Sequence, residues 1–327
     1  MLQCKKIILE FHRMIKRSWH AFMVSDLCPT LSLICSILLV DIVWFTRVNS
    51  LNINGIEFRI LAIGGWLAFA LFIILIARVE KFKPITQSLF CNEIGLCILW
   101  VTIFAASGMI LAIYSYLCVK VSGSLIDQQL LNFDKYVGLD WVALRRWVNE
   151  RSLINQILRL SYNSGIYQLM IIPQLLVLFR KEKDVYALYS FFFISAIICP
   201  LISIFFPANS LFTVFKVGGD EEATVSHFKI LRENIPLDIN IEDLQGLISF
   251  PSFHTMLGIG FAYYVRNVPV VFPFLLVLNL VMIISTITEG GHYLLDTLLG
   301  VLCGISIILF LDRTRTTKSD NFTKKKY

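Results

Sequence analysis

The stretch that decides the fold reads SFPSFHT at 249–255 and EGGHYLLD at 289–296, with one long apolar run between them. His254 and His292 each stand where a polar segment gives way to an apolar one, and they are 38 residues apart. A helix that crosses a membrane needs about 20 residues at about 1.5 Å each. The spacing therefore predicts one helix out, a turn at 266–267 and one helix back, which returns both histidines to the same membrane face.

The composition predicts an integral membrane protein. Of the 327 residues, 57% are hydrophobic and only 16% are charged, whereas soluble domains carry about 25% charged residues. The mean hydropathy of +0.72 points the same way. The net charge of +6 comes from Lys and Arg in short clusters between apolar runs. That distribution is typical of membrane orientation signals, so we expect no nucleic-acid partner.

The eight cysteines do not form a recognisable motif. No Cys-x-x-Cys pair is present, which argues against a zinc or redox site. Five of them lie within apolar runs, where cysteine behaves as a small hydrophobic residue. These are Cys35, Cys97, Cys118, Cys199 and Cys303.

Apolar runs of spanning length predict an all-α, multi-pass membrane protein with about eight transmembrane helices. The basic segment 1–26 that precedes them is either a surface helix or a flexible tail. The predicted spans are 27–46, 59–77, 95–119, 155–179, 185–206, 252–265, 268–288 and 292–311.

The loops between these runs predict the orientation. Basic residues concentrate at the N-terminus, in 78–94, in 180–184, at Arg266 and in the C-terminal tail, so these segments should be cytoplasmic. Both histidines then face the periplasm or an organelle lumen. The opposite loops are 47–58, 120–154, 207–251 and 289–291.

Two of these outer loops are long enough to form caps, 120–154 and 207–251. Apolar residues three or four apart in 122–152 predict helices lying flat on the outer surface. Trp141 and Trp147 in this segment suit the membrane interface.

The residues around the two histidines predict a phosphate site. Asp296 lies four residues after His292, where it can bond one ring nitrogen and leave the other as a nucleophile. His254 can supply a proton to a leaving oxygen. Ser252 can cap a helix whose free N–H groups bind anions, and Gly291 lets backbone approach a ligand closely.

Other interpretations of these residues stay open. The histidines could be caps or interfacial residues, or could form a metal site with Asp296 and Glu289. A transporter or scaffold without chemistry is also compatible with eight helices. The fourth run carries a polar strip that could form a headgroup pocket or join helices by hydrogen bonds. Its members are Arg159, Tyr162, Asn163, Ser164, Tyr167 and Gln168.

PSFH and GGHYLLD resemble the second and third motifs of the type-2 phosphatidic acid phosphatase superfamily, Pro-Ser-Gly-His and Ser-Arg-x5-His-x3-Asp. His292 and Asp296 match the His-x3-Asp spacing. Phe253 stands in place of the motif glycine, Thr286 stands in place of the arginine, and the first motif has no match. These departures are similar to the branch that contains inositol phosphorylceramide synthases and sphingomyelin synthases. LQGLISFPSFHT (244–255) also resembles bacterial members of that branch.

The resemblance implies a six-helix catalytic core at 95–311, preceded by two added helices in 1–94 and followed by a basic tail at 312–327. It implies a metal-free enzyme without a cofactor that acts on a lipid phosphate through a phosphohistidine. In a bacterial inner membrane the active site would face the periplasm. His292 would be the nucleophile, Asp296 would orient it, His254 would be the acid and base, and Ser252 would hold a phosphate oxygen.

The missing motif arginine leaves the phosphate without an evident cation. Lys216, Lys229 and Arg232 in the outer cap are candidates, as are Arg145 and Arg146. The resemblance also leaves two reactions open. A lipid phosphatase transfers the phosphoryl group to water, and an inositolphosphotransferase-like enzyme transfers a phospho-headgroup to an alcohol on a second lipid.

Overall fold

The computed structural model describes residues 51–79, 91–217, 221–233 and 235–324, together with isolated positions 37, 82, 85 and 87. The predicted surface segment 1–26 lies outside the described residues, as does the predicted first span 27–46 apart from Ile37. The described chain is helical apart from one pair of short strands.

Eleven α-helices and two strands are present in the described ranges. They are β1 (Leu51–Asn54), α1 (Ile56–Arg78), α2 (Cys91–Lys120), α3 (Asp127–Tyr136), α4 (Trp141–Asn149), α5 (Ser152–Leu178), α6 (Glu182–Phe205), α7 (Leu211–Val214), α8 (Glu221–Arg232), β2 (Leu237–Asn240), α9 (Phe253–Tyr264), α10 (Phe272–Glu289) and α11 (Leu294–Lys324). A 3₁₀ turn at Ile241–Asp243 follows β2.

The long apolar helices identify a membrane protein. Five helical segments are long and apolar enough to cross a membrane: α1, α2, α6, α10 and residues Leu294–Thr314 of α11. α5 has spanning length but carries the polar strip, and it coincides with the predicted fourth run. α11 continues past the predicted end of the last span at residue 311, as one helix to Lys324.

The short helix α9 lies at the centre of the helical bundle. It packs against α5, α6, α10 and α11, while α2 packs against α5 and α6. Its 12 residues measure about 18 Å, compared with a hydrocarbon core of about 30 Å. Because it is surrounded, apolar residues occupy most of its circumference, and Met256, Phe261 and Tyr264 are buried.

A close contact joins the starts of α9 and α11. A Cβ atom on Gly300 would lie 2.7 Å from the Ser252 carbonyl oxygen and 2.9 Å from Thr255 Cβ. Any larger residue would push α11 away from the start of α9. The glycine therefore allows the two helices that carry the predicted site to meet.

Two strands that the sequence analysis did not predict join distant parts of the chain. β1 and β2 pair in parallel, from Leu51 with Leu237 to Asn54 with Asn240. Both strands alternate buried and exposed residues, as expected for a strand with one face on a core. The paired strands connect the segment before α1 to the loop 207–251.

The four outer loops meet at one end of the bundle. β1 joins the loop 47–58 to the loop 207–251, and Asp127 of α3 binds Asn209. The Leu211 N–H donates to the Gly291 carbonyl at 2.7 Å, which adds the loop 289–291. We call this assembly of residues 51–54, 121–151, 207–217, 221–233, 235–251 and 289–293 the cap.

Within the cap, the two predicted interfacial tryptophans, Trp141 and Trp147, differ in solvent exposure. Trp147 is half exposed and stacks beneath Arg151, as an interfacial residue can. Trp141 is buried and donates its indole N–H to the Ile287 carbonyl at 2.7 Å. The interfacial prediction is therefore wrong for Trp141, which attaches α4 to the end of α10.

Candidate functional site

His292 and Asp296 form the buried pair that their spacing predicted. The distance from His292 Nδ1 to Asp296 Oδ2 is 3.3 Å, and the residues are 4% and 0% exposed. His292 lies two residues before α11, in the loop that follows α10, and its N–H donates to the Thr286 carbonyl at 3.2 Å. The contact with Asp296 leaves Nε2 as the ring nitrogen available to a substrate.

The Asp296 carboxylate is fixed by further donors. Its Oδ2 atom also accepts the Tyr293 N–H at 3.0 Å and the Ser249 hydroxyl at 3.2 Å. Its Oδ1 atom is buried and meets no hydrogen-bond donor in the described part of the chain. Three donors on one oxygen hold the carboxylate in a single orientation toward His292.

His254 is positioned by the capped start of α9. The Ser252 hydroxyl accepts the Thr255 N–H at 3.4 Å, so Ser252 is the predicted helix cap. Its own N–H donates to the Asp296 carbonyl at 3.0 Å, which ties α9 to α11. Ser252 is fully buried and also accepts the Thr255 hydroxyl at 3.1 Å, so its oxygen is already engaged within the protein.

Tyr162 of α5 contacts His254 and lies close to Gly290, in the loop before His292. Its ring stacks on His254 with centroids 4.4 Å apart and planes 22° apart. A Cβ atom on Gly290 would lie 2.7 Å from His292 Cδ2 and 2.9 Å from Tyr162 Cε2. The structure therefore brings His254, His292 and Asp296 into one cluster.

The rest of the polar strip on α5 divides between two environments. Gln168 is buried, donates to Ser164 at 2.9 Å and accepts from Asn279 of α10 at 2.8 Å. Asn163 and Tyr167 are exposed on the outside of the helix. Helix–helix hydrogen bonding accounts for Gln168, and Tyr162 is the member that contacts the histidine cluster.

Side chains of the cap loop occupy the space beside Gly291. Its φ of 60° lies in the left-handed region, where glycine is strongly favoured. A Cβ atom there would collide with the Ser210 hydroxyl and would lie 2.5 Å from Phe212 Cδ2. In this structure the cap loop occupies the space that a side chain at position 291 would need.

The first backbone N–H groups of α11 and α9 differ in whether protein groups accept their hydrogen bonds. At α11 the Tyr293 N–H donates to Asp296 and the Leu294 N–H donates to Asp134 Oδ1 at 3.2 Å, so protein carboxylates occupy these donors. These two N–H groups are therefore already bound by protein acceptors. At α9, no acceptor for the N–H groups of Phe253 and His254 is found within the described ranges.

Comparison with known families gives one match. The sequence model of the PAP2 superfamily matches residues 128–310, which is more than half of the chain and includes the whole histidine cluster. The chain belongs to the PAP2 superfamily. No curated protein and no solved structure matches it. Membership indicates an enzyme of the lipid phosphatase type.

In this PAP2-superfamily chain, three of the five predicted cationic residues, Lys216, Lys229 and Arg232, have surroundings other than the histidines. Lys216 is exposed, and Lys229 is 72% exposed and lies 3.8 Å from Glu233. Arg232 donates to the Ser122 hydroxyl and, at 2.8 Å, to the Gly123 carbonyl. No described contact joins any of the three to the histidine cluster, so the structure does not bring them to the site.

Two acidic residues of α3 were not predicted. Asp127 accepts the Asn209 N–H and the Tyr293 hydroxyl, each at 2.8 Å. Asp134 is 2% exposed, and burial raises its pKa to about 6, against the opposing effect of the Leu294 N–H. Their seven-residue spacing places both on one face of α3, which is the signal that could have revealed them.

The alternative metal site does not assemble in the described chain. No group of three or more His, Cys, Asp or Glu side chains is arranged there to hold a metal ion. Glu289, one of the four proposed ligands, instead pairs with Arg145 of α4. The residues that lie together are the two histidines and Asp296.

Proposed function

We propose that this chain is a membrane enzyme that transfers a phosphoryl group from a lipid phosphate through a phosphohistidine at His292. The observation that carries the proposal is the buried contact of His292 Nδ1 with Asp296 Oδ2 at 3.3 Å. A carboxylate on Nδ1 favours the tautomer with the proton on that nitrogen, so Nε2 keeps its lone pair. PAP2-superfamily membership supports the same chemistry.

In the first step, His292 Nε2 attacks phosphorus and the bond from phosphorus to the lipid oxygen breaks. His254, in its protonated form, gives its proton to the departing oxygen, which leaves as an alcohol. The His292 ring gains positive charge, and the Asp296 carboxylate stabilises it through Nδ1. The stacked ring of Tyr162 holds His254 on the side of the leaving group.

In the second step, the neutral His254 takes a proton from the acceptor hydroxyl. The acceptor oxygen attacks phosphorus, the bond from phosphorus to Nε2 breaks, and both histidines return to their starting states. With water as acceptor the product is inorganic phosphate, or a phosphorylated headgroup if one was attached. With a lipid alcohol as acceptor, the phospho-headgroup passes to the second lipid, and the resemblance to inositol phosphorylceramide synthases supports this outcome.

The proposal also covers location. We place the catalytic core at 95–311 and the site at the cap end of the bundle, away from the basic loops that predict the cytoplasmic side. The meeting of the outer loops in one cap supports this placement. For a bacterial inner membrane, the site then faces the periplasm and takes its lipid from the outer leaflet.

The test is a product assay with purified protein in mixed micelles. Labelled phosphatidic acid and labelled phosphatidylinositol are supplied with and without ceramide or diacylglycerol, and the labelled products are separated. Released phosphate identifies a phosphatase, and a labelled acceptor lipid identifies a headgroup transferase. H292A should abolish either product, whereas turnover that survives in folded H292A would contradict the proposal.

The remaining alternatives give different results in the same preparation. A metal-dependent hydrolase would lose activity after chelator treatment, whereas phosphohistidine chemistry continues. A transporter reconstituted in vesicles would keep its flux in H292A. Acid-labile labelled phosphate on the wild-type protein, absent in H292A, would support the covalent intermediate directly.

A further inference from the structure

Arg145 reaches the loop that carries His292 from the side of the cap. α4 is attached to α10 by the hydrogen bond from Trp141 to Ile287, and one turn later Arg145 Nη1 pairs with Glu289. Glu289 is the last residue of α10 and lies three residues before His292. The side chains of Arg145 and Glu289 are 17% and 7% exposed, so this is a largely buried ion pair.

A second contact fixes Arg145 beside the same loop. Its guanidinium carbon lies 5.6 Å from the centroid of the Phe212 ring, and that ring packs against Gly291. Arg145 therefore contacts Glu289 just before the Gly290-Gly291 turn and the Phe212 ring that packs on Gly291. Its Nε atom is buried and meets no acceptor among the residues described, and a buried donor without a partner is uncommon in folded proteins.

A cavity of about 400 Å³ lies against this arginine. Trp141 and Asn149 contribute to its wall, with Arg145 and Arg146 as the cationic groups and Glu150 as the one acidic group. Guanidinium groups bind phosphate oxygens in fixed, often bidentate geometry. An amide and an aromatic face add positions for a hydroxylated headgroup, so the lining suits a polar anion.

The carboxylates around His292 would repel a lipid phosphate, so a cationic group is needed beside them. Asp296, Asp134 and Glu289 are buried carboxylates on or beside the loop that carries the nucleophile. A lipid phosphate brings further negative charge to the same place, where low polarity strengthens repulsion. Among the described basic side chains with assigned contacts, Arg145 is the one that pairs with a residue of this loop.

We propose that Arg145, with the cavity beside it, binds the phosphate-bearing headgroup of the lipid, and that Glu289 is its counterion before the lipid binds. The phosphate displaces Glu289 from the guanidinium group when it binds. This inference rests on the proposed function, because it concerns the substrate of the same site. It assigns the cation that the residues at 216, 229 and 232 do not supply.

The experiment measures binding without turnover. Each variant is made in the H292A background, and titration calorimetry with dioctanoyl phosphatidic acid gives the dissociation constant. R145Q should weaken binding by about tenfold to a hundredfold, as expected for loss of a hydrogen bond to a charged group. E289Q should bind as tightly as the H292A parent or more tightly, because the competing carboxylate is gone. R151Q is the matched control, since Arg151 is an exposed cap arginine that stacks on Trp147, and it should bind like the parent.

R145Q is expected to weaken lipid binding and E289Q is not, and this difference distinguishes a phosphate subsite from a purely structural ion pair. A purely structural ion pair would lose binding and thermal stability alike in R145Q and E289Q, and that result would overturn the inference. The double variant R145Q/E289Q leaves no unpaired buried charge, so it should fold even where R145Q does not. Parent-like binding by the folded double variant would also overturn the inference. Since no turnover is needed, weak binding by R145Q supports the subsite even if the phosphohistidine proposal fails.

Discussion

Asp134 and Asp296 accept two consecutive backbone N–H groups at the start of α11, those of Leu294 at 3.2 Å and Tyr293 at 3.0 Å. One carboxylate comes from the cap and the other from the helix itself. Between them they satisfy donors that a helix would otherwise offer to an anion. The loop that presents His292 is thereby held by hydrogen bonds within the protein.

Replacement of Asp296 by asparagine tests whether the charge of Asp296 is needed at His292, because the side chain keeps nearly the same size. D296N keeps an oxygen for the Tyr293 N–H but loses the charge that stabilises the His292 ring, so kcat should fall roughly 10²- to 10⁴-fold. Steady-state assays of phosphate release or headgroup transfer measure it. S249A removes one donor to the same carboxylate and should lower kcat by about tenfold at most. Equal activity of D296N and wild type would refute the orienting role.

The stacked ring of Tyr162 should matter more than its hydroxyl. Y162A removes the contact with His254, and an aromatic pair of this kind is worth about 0.5–1.5 kcal/mol, so kcat should fall by about two- to tenfold. Y162F keeps the ring and should remain close to wild type. Both variants are compared by kcat and KM from initial rates over a range of lipid concentrations. If Y162F is as impaired as Y162A, the stacking explanation is wrong.

Gly291 should tolerate no side chain. G291A introduces a Cβ atom at positive φ and against Phe212, so it should destabilise the protein by about 1–3 kcal/mol and lower activity with it. Thermal unfolding in detergent measures the change. Gly246 lies in the same cap, and a Cβ atom there would meet nothing within 4 Å, so G246A is the control and should leave the melting temperature nearly unchanged. Matching losses in both variants would contradict this account.

Asp134 should give the protein a pH-dependent stability. Its pKa is raised by burial to about 6 in the folded state, so the folded protein holds a proton that the unfolded chain releases near pH 4. The free energy of unfolding should therefore fall as pH rises from about 4 to about 6 and then level off. The D134N variant keeps an oxygen that can accept the Leu294 N–H, but its amide cannot titrate.

The measurement compares melting temperatures of wild type and D134N in detergent from pH 4 to pH 8. The difference between the two proteins should change steadily across the lower part of this range, in favour of D134N, and stay constant above about pH 6.5. Parallel curves throughout the range would show that Asp134 does not titrate as its surroundings indicate.

The sequence predicted the histidine cluster because its geometry is local. The spacing of His292 and Asp296 is one helical turn, and the interval back to His254 is set by two short helices and a turn. The runs that became α5, α6 and α10 were also placed to within a few residues, because apolar length is a strong signal in a membrane protein.

The cap could not be predicted in the same way, because its contacts join residues far apart in the chain. The four-residue strand β1 has no local signal that distinguishes it from a loop, and its partner β2 lies 186 residues later. The contacts of Gly291 with Ser210 and Phe212 could not be predicted for the same reason. The role of Arg145 also depends on where α4 meets α10.

The pairing of β1 with β2 has a consequence for biogenesis. A ribosome releases β1 before any of the eleven described helices exists, and its partner strand emerges only after α6 and α8 have been made. β1 therefore has no partner strand while the long helices α1, α2, α5 and α6 are synthesised. The connection between the segment before α1 and the loop 207–251 therefore forms late, just before synthesis of the helices next to the two histidines begins.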